Sequence, residues 1–159
     1  MVVLSIFMNN CLAQKKNKGF TLIEILVVMG VLSILFSIIT IAINPQKQFG
    51  RANNAKRRSD IVAILNAIGA YTADNKGVLP TGIPTTVATI TDSVNGANIC
   101  ASLVPKYIPA LPPDPSLKTN DITICTNYNT GYTVVKDANN RVTVAAPSQE
   151  YGEIISVTR

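Results

Sequence analysis

Glu24 stands in a run, residues 20–43, whose other clearly polar side chains are Thr21, Ser33, Ser37 and Thr40. A carboxylate inside a membrane helix costs several kcal/mol unless it is paired, snorkels to water or sits near the interface. Two solutions are open: an interfacial glutamate that stays hydrated, or a glutamate that meets a cation. The run contains no Lys or Arg. A cut between Gly19 and Phe20 would supply the cation, because it leaves Phe20 with a free α-amino group one helical turn from Glu24, or offers that amine to a neighbouring helix. The same junction divides a leader carrying Lys15, Lys16 and Lys18 from the apolar run.

The element that positions Glu24 is a helix. At about 1.5 Å per residue the run reaches about 36 Å, enough for a hydrocarbon core of about 30 Å. A secretory signal peptide would have an apolar region of about 7–15 residues and end in a small-residue cleavage site. Here Ile43 is followed by Asn44-Pro45, so the span is expected to stay in the mature chain. Basic residues flank it on both sides, Lys15, Lys16 and Lys18 before it and Lys47, Arg51, Lys56, Arg57 and Arg58 after it. The positive-inside count alone therefore leaves the orientation open.

The stretch Lys15-Lys16-Asn17-Lys18-Gly19-Phe20-Thr21-Leu22-Ile23-Glu24, followed by the apolar run, closely resembles the type IV prepilin signature. That class holds the subunits of type IV pili, the pseudopilins of type II secretion and the competence pilins. The resemblance implies cleavage after Gly19 by a prepilin peptidase on the cytoplasmic side and N-methylation of Phe20. It also implies a role for Glu24 in filament assembly, paired with a neighbour's amine. The implied partners are copies of the chain or other pilins, the peptidase, the assembly platform and the membrane; no cofactor is implied. The implied location is a single pass in the cytoplasmic (inner) membrane, N-terminus inside and head outside, and then a surface pilus or pseudopilus. The expected function is a structural subunit of a type IV pilus or related filament. The first alternative is a pseudopilin of a type II secretion or competence system, and the second a monomeric signal-anchored binding protein. The leader is longer than the family's usual form, and starting at Met8 would give the shorter, polar and basic one.

Four segments follow: a leader over 1–19, a membrane and assembly helix over 20–43, an amphipathic continuation over 44–76, and a loop-and-sheet head over 77–159. Pro45 is expected to kink or interrupt the helix. Beyond it Phe49, Ala52, Ala55, Val62, Leu65, Ile68 and Tyr71 recur mostly at three or four residues, predicting the buried face of a helix that ends near Asn75-Lys76-Gly77. The resemblance implies Gly50 and Pro45 as the points where the helix would melt within a filament. Arg51, Lys56, Arg57 and Arg58 read as a solvated face, with Asp60 as one counter-charge. A nucleic-acid partner has weak support, since interleaved aromatics are nearly absent.

In the head, 85–90 is a candidate strand and 100–104 a helical turn. The proline-rich stretch 107–115 resembles the connector that precedes the sheet in many pseudopilins, and 121–126, 131–135, 141–146 and 153–158 are candidate antiparallel strands. A turn is expected at 137–140. The expected fold class is α+β, a long N-terminal helix against a small antiparallel sheet, as the resemblance to type IV pilins also implies.

The formal charge is +5, but loss of Lys15, Lys16 and Lys18 leaves eleven basic against nine acidic residues, so the basic excess belongs largely to the leader. Of three cysteines, Cys11 precedes the cut, leaving Cys100 and Cys125 either as a disulfide, permitted outside the cytoplasm, or as two thiols. The chain has no histidine, which excludes histidine triads and histidine metal sites. No phosphate-loop or dinucleotide fingerprint is present. Asp92, Asp114, Asp121 and Asp137 sit among turn residues, where local hydrogen bonding is the expected use of an aspartate. An enzyme is not expected.

Overall fold

A computed structural model describes residues 19–159. The leader's Met8, Cys11, Lys15, Lys16 and Lys18 lie outside the described residues. The chain divides into two compact units, Met1–Ile43 and Asn44–Arg159.

In the first unit, α1 spans Leu22–Ile43. Within it no residue of the apolar stretch Leu22–Thr40 is buried. Its hydroxyls are satisfied within the helix. Ser33 donates to the Met29 carbonyl at 2.7 Å, Ser37 to Ser33 at 2.9 Å and Thr40 to Phe36 at 3.1 Å. Such back-bonding leaves these side chains no unmet polar demand in an apolar medium.

In the second unit, α2 spans Pro45–Asp74. Asn44 is left-handed (φ 46°) and its side chain accepts from the Lys47 amide at 3.4 Å, while Pro45 takes the first helical position. A proline there loses no hydrogen bond and presets the helical φ. Thus Asn44 interrupts the helix, and Pro45 begins the next one. α2 ends where Asn75 caps the Tyr71 carbonyl and Gly77 (φ 88°) donates to Thr72 at 2.8 Å.

Four antiparallel strands, β1 (Ala88–Thr91), β2 (Asn129–Lys136), β3 (Val142–Ala145) and β4 (Ser156–Thr158), lie side by side in that order. A short helix, α3 (Cys100–Leu103), and a 3-10 turn at Pro115–Leu117 fill the connection between β1 and β2. Alternation decides the inner face of the sheet. Thr130, Tyr132 and Val134 of β2, with Val142 and Val144 of β3, are buried in one core with Ile61, Ile64, Leu65 and Ile68 of α2. Ile83, Ile90, Ile99, Leu103 and Leu111 close its other side. This is the α+β arrangement the sequence predicts.

Two expectations are corrected. Residues 121–126 do not form a strand, since Ile122 alone pairs, in a single bridge with Leu111 through bonds of 2.9 and 2.8 Å. The disulfide at Cys125 draws this segment toward α3 instead of along the sheet, and Asn127 then turns it with φ 53°. The remaining strand is β1, which starts at Ala88, later than the expected 85–90.

The second correction concerns the buried face of α2. Phe49, Ala52, Ala55 and Val62 are exposed. The buried positions are Gly50, Asn54, Arg57, Asp60, Ile61, Ile64, Leu65, Ala67 and Ile68. Leu65 and Ile68 agree with the sequence, but the first half of the face is glycine and polar side chains.

Candidate processing and assembly site

Gly19 and Phe20 precede α1 in non-helical backbone, and both are exposed, Phe20 at 83%. A Cβ on Gly19 would meet no atom within 4 Å among the described residues, so nothing in their packing demands a glycine there. The following residues build a helix start. The Thr21 amide and hydroxyl both donate to Glu24 Oε2, at 3.0 and 2.9 Å, and the Glu24 amide donates back to Thr21 Oγ1 at 3.3 Å. This is the reciprocal capping box of a Thr-x-x-Glu sequence. It is a third way to accommodate Glu24, beside hydration and an external cation, and the Thr21/Glu24 spacing was the signal for it. Oε1 has no donor among the described residues, so one oxygen stays open to a further donor.

In the second unit, Arg57 and Arg58 are met by carboxylates far away in sequence and Lys56 by one four residues on. Arg57, 1% exposed, grips Asp114 with both edges of its guanidinium, Nε to Oδ2 at 2.8 Å and NH2 to Oδ1 at 3.1 Å. Its NH1 reaches Asn54 Oδ1 at 2.9 Å and Glu150 Oε1 at 3.3 Å. Ser116 donates to Asp114 through both its amide and its hydroxyl. Asp60 accepts from Lys56 at 2.8 Å and from the buried Tyr132 hydroxyl at 2.7 Å. Arg58 meets Glu153 at 2.5 Å.

Lys56, Arg57 and Arg58 are therefore each paired, and Arg57 is no part of a solvated face. Asp114 does more than serve a turn: it is the buried partner of Arg57. Only Arg57 is withdrawn from the surface, while Lys56 and Arg58 stay about half exposed beside their carboxylates.

A short segment between β3 and β4 clasps the first turns of α2. Asn54 exchanges two hydrogen bonds with the Glu150 backbone, at 2.8 and 3.0 Å, and Asn53 donates to its carboxylate at 2.9 Å. Tyr151 donates to the Gln46 carbonyl at 3.0 Å. Gly50 lies beneath this segment, and a Cβ there would strike the Glu150 carboxylate and the Tyr151 ring. Gly50 thus has a packing reason, close approach, beside the filament flexibility expected from sequence.

This network makes stability depend on acid pH. Burial pushes the Asp114 carboxyl up, but the Arg57 guanidinium and the two Ser116 donors outweigh it and hold it below the usual range. Asn53, and then Arg57, hold Glu150 low against desolvation. Depressed folded-state values mean that the unfolded chain binds more protons, so this stabilisation is present above about pH 4 and is lost as pH falls below it. The urea midpoint is expected to be flat from pH 7 to pH 5 and to fall below about pH 4, with a shallower fall in Asp114→Asn. An equally steep acid limb in that variant would rule Asp114 out as the cause.

Cys100, at the start of α3, and Cys125 form a disulfide across 25 residues with Cα atoms 5.4 Å apart. It anchors a segment otherwise held by the single Leu111–Ile122 bridge and by Asp92 and Thr91, which bind the Asn127 amide and the Tyr128 carbonyl. Closing a loop of this length stabilises by about 3 kcal/mol in the chain-entropy model. Cys100→Ser/Cys125→Ser is expected to lose about that much, read as a lower urea midpoint. Limited proteolysis should then cut first within 119–127. Among the described residues no three His, Cys, Asp or Glu side chains converge as a metal site.

The family model for the prokaryotic N-terminal methylation motif matches residues 14–40. The type II secretion system core protein G of Escherichia coli (strain K12) is 40% identical over 63 residues, covering 40% of this chain and 42% of that protein. The protein of the same name from Aeromonas hydrophila is 39% identical over 62 residues, with 39% and 42% covered. That from Vibrio cholerae serotype O1 is 40% identical over 68 residues, with 43% and 44% covered. The chain thus spans less than half the length of the curated relatives it matches. No solved structure matches it. In its N-terminal segment, which holds the Gly19-Phe20 junction and Glu24, the chain carries this methylation motif and is similar to the type II secretion core proteins, in keeping with its resemblance to type IV prepilins.

Proposed function

We propose that this chain is a non-catalytic subunit of a pseudopilin-type filament, cut after Gly19, methylated on Phe20, held in the membrane by α1 and then assembled through it. The sequence alone put a surface pilus first and a secretion pseudopilin second. The similarity to type II secretion core proteins reverses that order. The observation that carries the reading is α1 itself: an apolar helix with one carboxylate and no buried residue over Leu22–Thr40. Such a surface needs lipid before assembly and neighbouring helices after it. Copies of the chain or other pilin-like chains are the neighbours this reading requires. The N-terminus would face the cytoplasm, where a peptidase reaches the junction, with the head on the far side.

The test is a deletion of the gene and its complementation in the native host. The pseudopilin reading expects secreted enzymes to accumulate inside the deletion strain, while sheared surface filaments, viewed by electron microscopy, are unchanged. Filaments that vanish with secretion intact would move the chain to the pilus reading. In the complemented strain, the membrane-bound mature chain should begin at methylated Phe20 by mass, and Gly19→Val should retain its leader.

A further inference from the structure

From Pro45 to Ser59, α2 carries five cations, Lys47, Arg51, Lys56, Arg57 and Arg58, and no acidic residue. The head sorts them. The three farther from α1 are each matched with a carboxylate, at 2.8 Å for Lys56, 2.8 Å for Arg57 and 2.5 Å for Arg58. Lys47 and Arg51 are exposed, and neither has a carboxylate within 4.0 Å among the described residues. They are four residues apart, so they share one helix face.

The same pole carries two exposed aromatics. Phe49 is 71% exposed, although it lies between positions that bind the head. Tyr151 is 55% exposed and is fixed to this pole by its bond to the Gln46 carbonyl. Cations and aromatic rings together are the composition that membrane–water interfaces hold. Along the chain, Lys47 follows Ile43, the last residue of α1, by four residues.

We infer that Lys47 and Arg51, on one face of the first turns of α2, form a surface for anionic phospholipid headgroups, with Phe49 on the opposite face of the helix and Tyr151 at the same level. The surface rests on the membrane anchoring proposed above and adds lipid specificity to it. The Lys47 ammonium and the Arg51 guanidinium meet headgroup phosphates, and Phe49 enters the acyl boundary. Two unmatched cations beside a bilayer favour an anionic over a zwitterionic lipid, on the order of tenfold for the pair.

The full-length chain, reconstituted from vesicles of equal phosphatidylglycerol and phosphatidylcholine, is released in mild detergent and its retained lipids are counted by native mass spectrometry. Wild type is expected to retain phosphatidylglycerol about tenfold over phosphatidylcholine. Lys47→Gln/Arg51→Gln should bring the two to near parity. Lys76→Gln, an exposed lysine beyond the opposite end of α2, should keep the preference. Circular dichroism checks that all three are folded. Equal retention by wild type, or an undiminished preference in the double variant, overturns the surface. So does loss of the preference on adding inorganic phosphate, which would point to a free-anion site. A chain that stays in the aqueous fraction overturns the anchoring as well, whereas a vesicle-bound chain without lipid preference overturns the headgroup surface alone.

Discussion

Asp114→Ala is expected to lower the free energy of unfolding of the head by about 3–5 kcal/mol, because it leaves the Arg57 guanidinium buried without its counter-ion. Arg57 is 1% exposed and the Asp114 side chain 0%, so water does not replace the lost carboxylate without disrupting the packing. Asn54 and the half-exposed Glu150 still meet NH1, but the Nε and NH2 donors are orphaned. Since a typical domain has only about 5–15 kcal/mol in hand, the variant should be largely unfolded at modest urea. The comparison that isolates the charge is Arg57→Met/Asp114→Leu, which removes both partners and should recover most of the loss. Urea midpoints of the two proteins decide it. A double variant as weak as Asp114→Ala would mean that the site needs the polar network as a whole.

That network explains where sequence reading stopped. Helical periodicity was sought among apolar residues, and it found Leu65 and Ile68, which face the sheet. Eleven residues earlier the same face is Asn54 and Arg57, followed by Asp60, whose partners Glu150, Asp114 and Tyr132 stand 96, 57 and 72 positions away. Nothing local marks an arginine as buried when its counter-ion is so distant, and burial of such a group is uncommon. The exposed Phe49 and Val62 completed an apolar pattern that packing does not use. β2 and β3 were legible because alternation and the turn after Lys136 are local signals. Residues 121–126 alternate too, but a disulfide to Cys100 outcompetes strand pairing. At the N-terminus the apolar run and Glu24 were plain, while the capping box was readable from Thr21 and Glu24 and was missed by attending only to charge.

The division of labour in the head follows from the same facts. The second half of α2 holds the sheet by apolar burial, whereas its first half is held by hydrogen bonds and ion pairs to 150–153 and Asp114. Apolar burial is indifferent to pH near neutrality, and charged pairs are not. Acid or loss of Asp114 should therefore loosen the first turns of α2 before the sheet.

Glu24→Gln separates the two uses of the carboxylate, and Glu24→Ala removes both. A glutamine oxygen can still accept from the Thr21 amide and hydroxyl, so the capping box survives in form. What it lacks is the negative charge that would meet a neighbour's Phe20 amine, an interaction that water screens little among packed apolar helices. Both variants are expected to insert and to be cut after Gly19, yet to lose assembly about tenfold or more, read as multimers captured by cross-linking in intact cells and as filaments in the sheared fraction. Thr21→Val removes the hydroxyl of the cap while leaving the charge; it should weaken the helix start by about 1 kcal/mol and still assemble. Wild-type assembly by Glu24→Gln would reduce Glu24 to a helix cap. Wild-type assembly by Glu24→Ala would make the carboxylate incidental and favour a monomeric membrane-anchored protein.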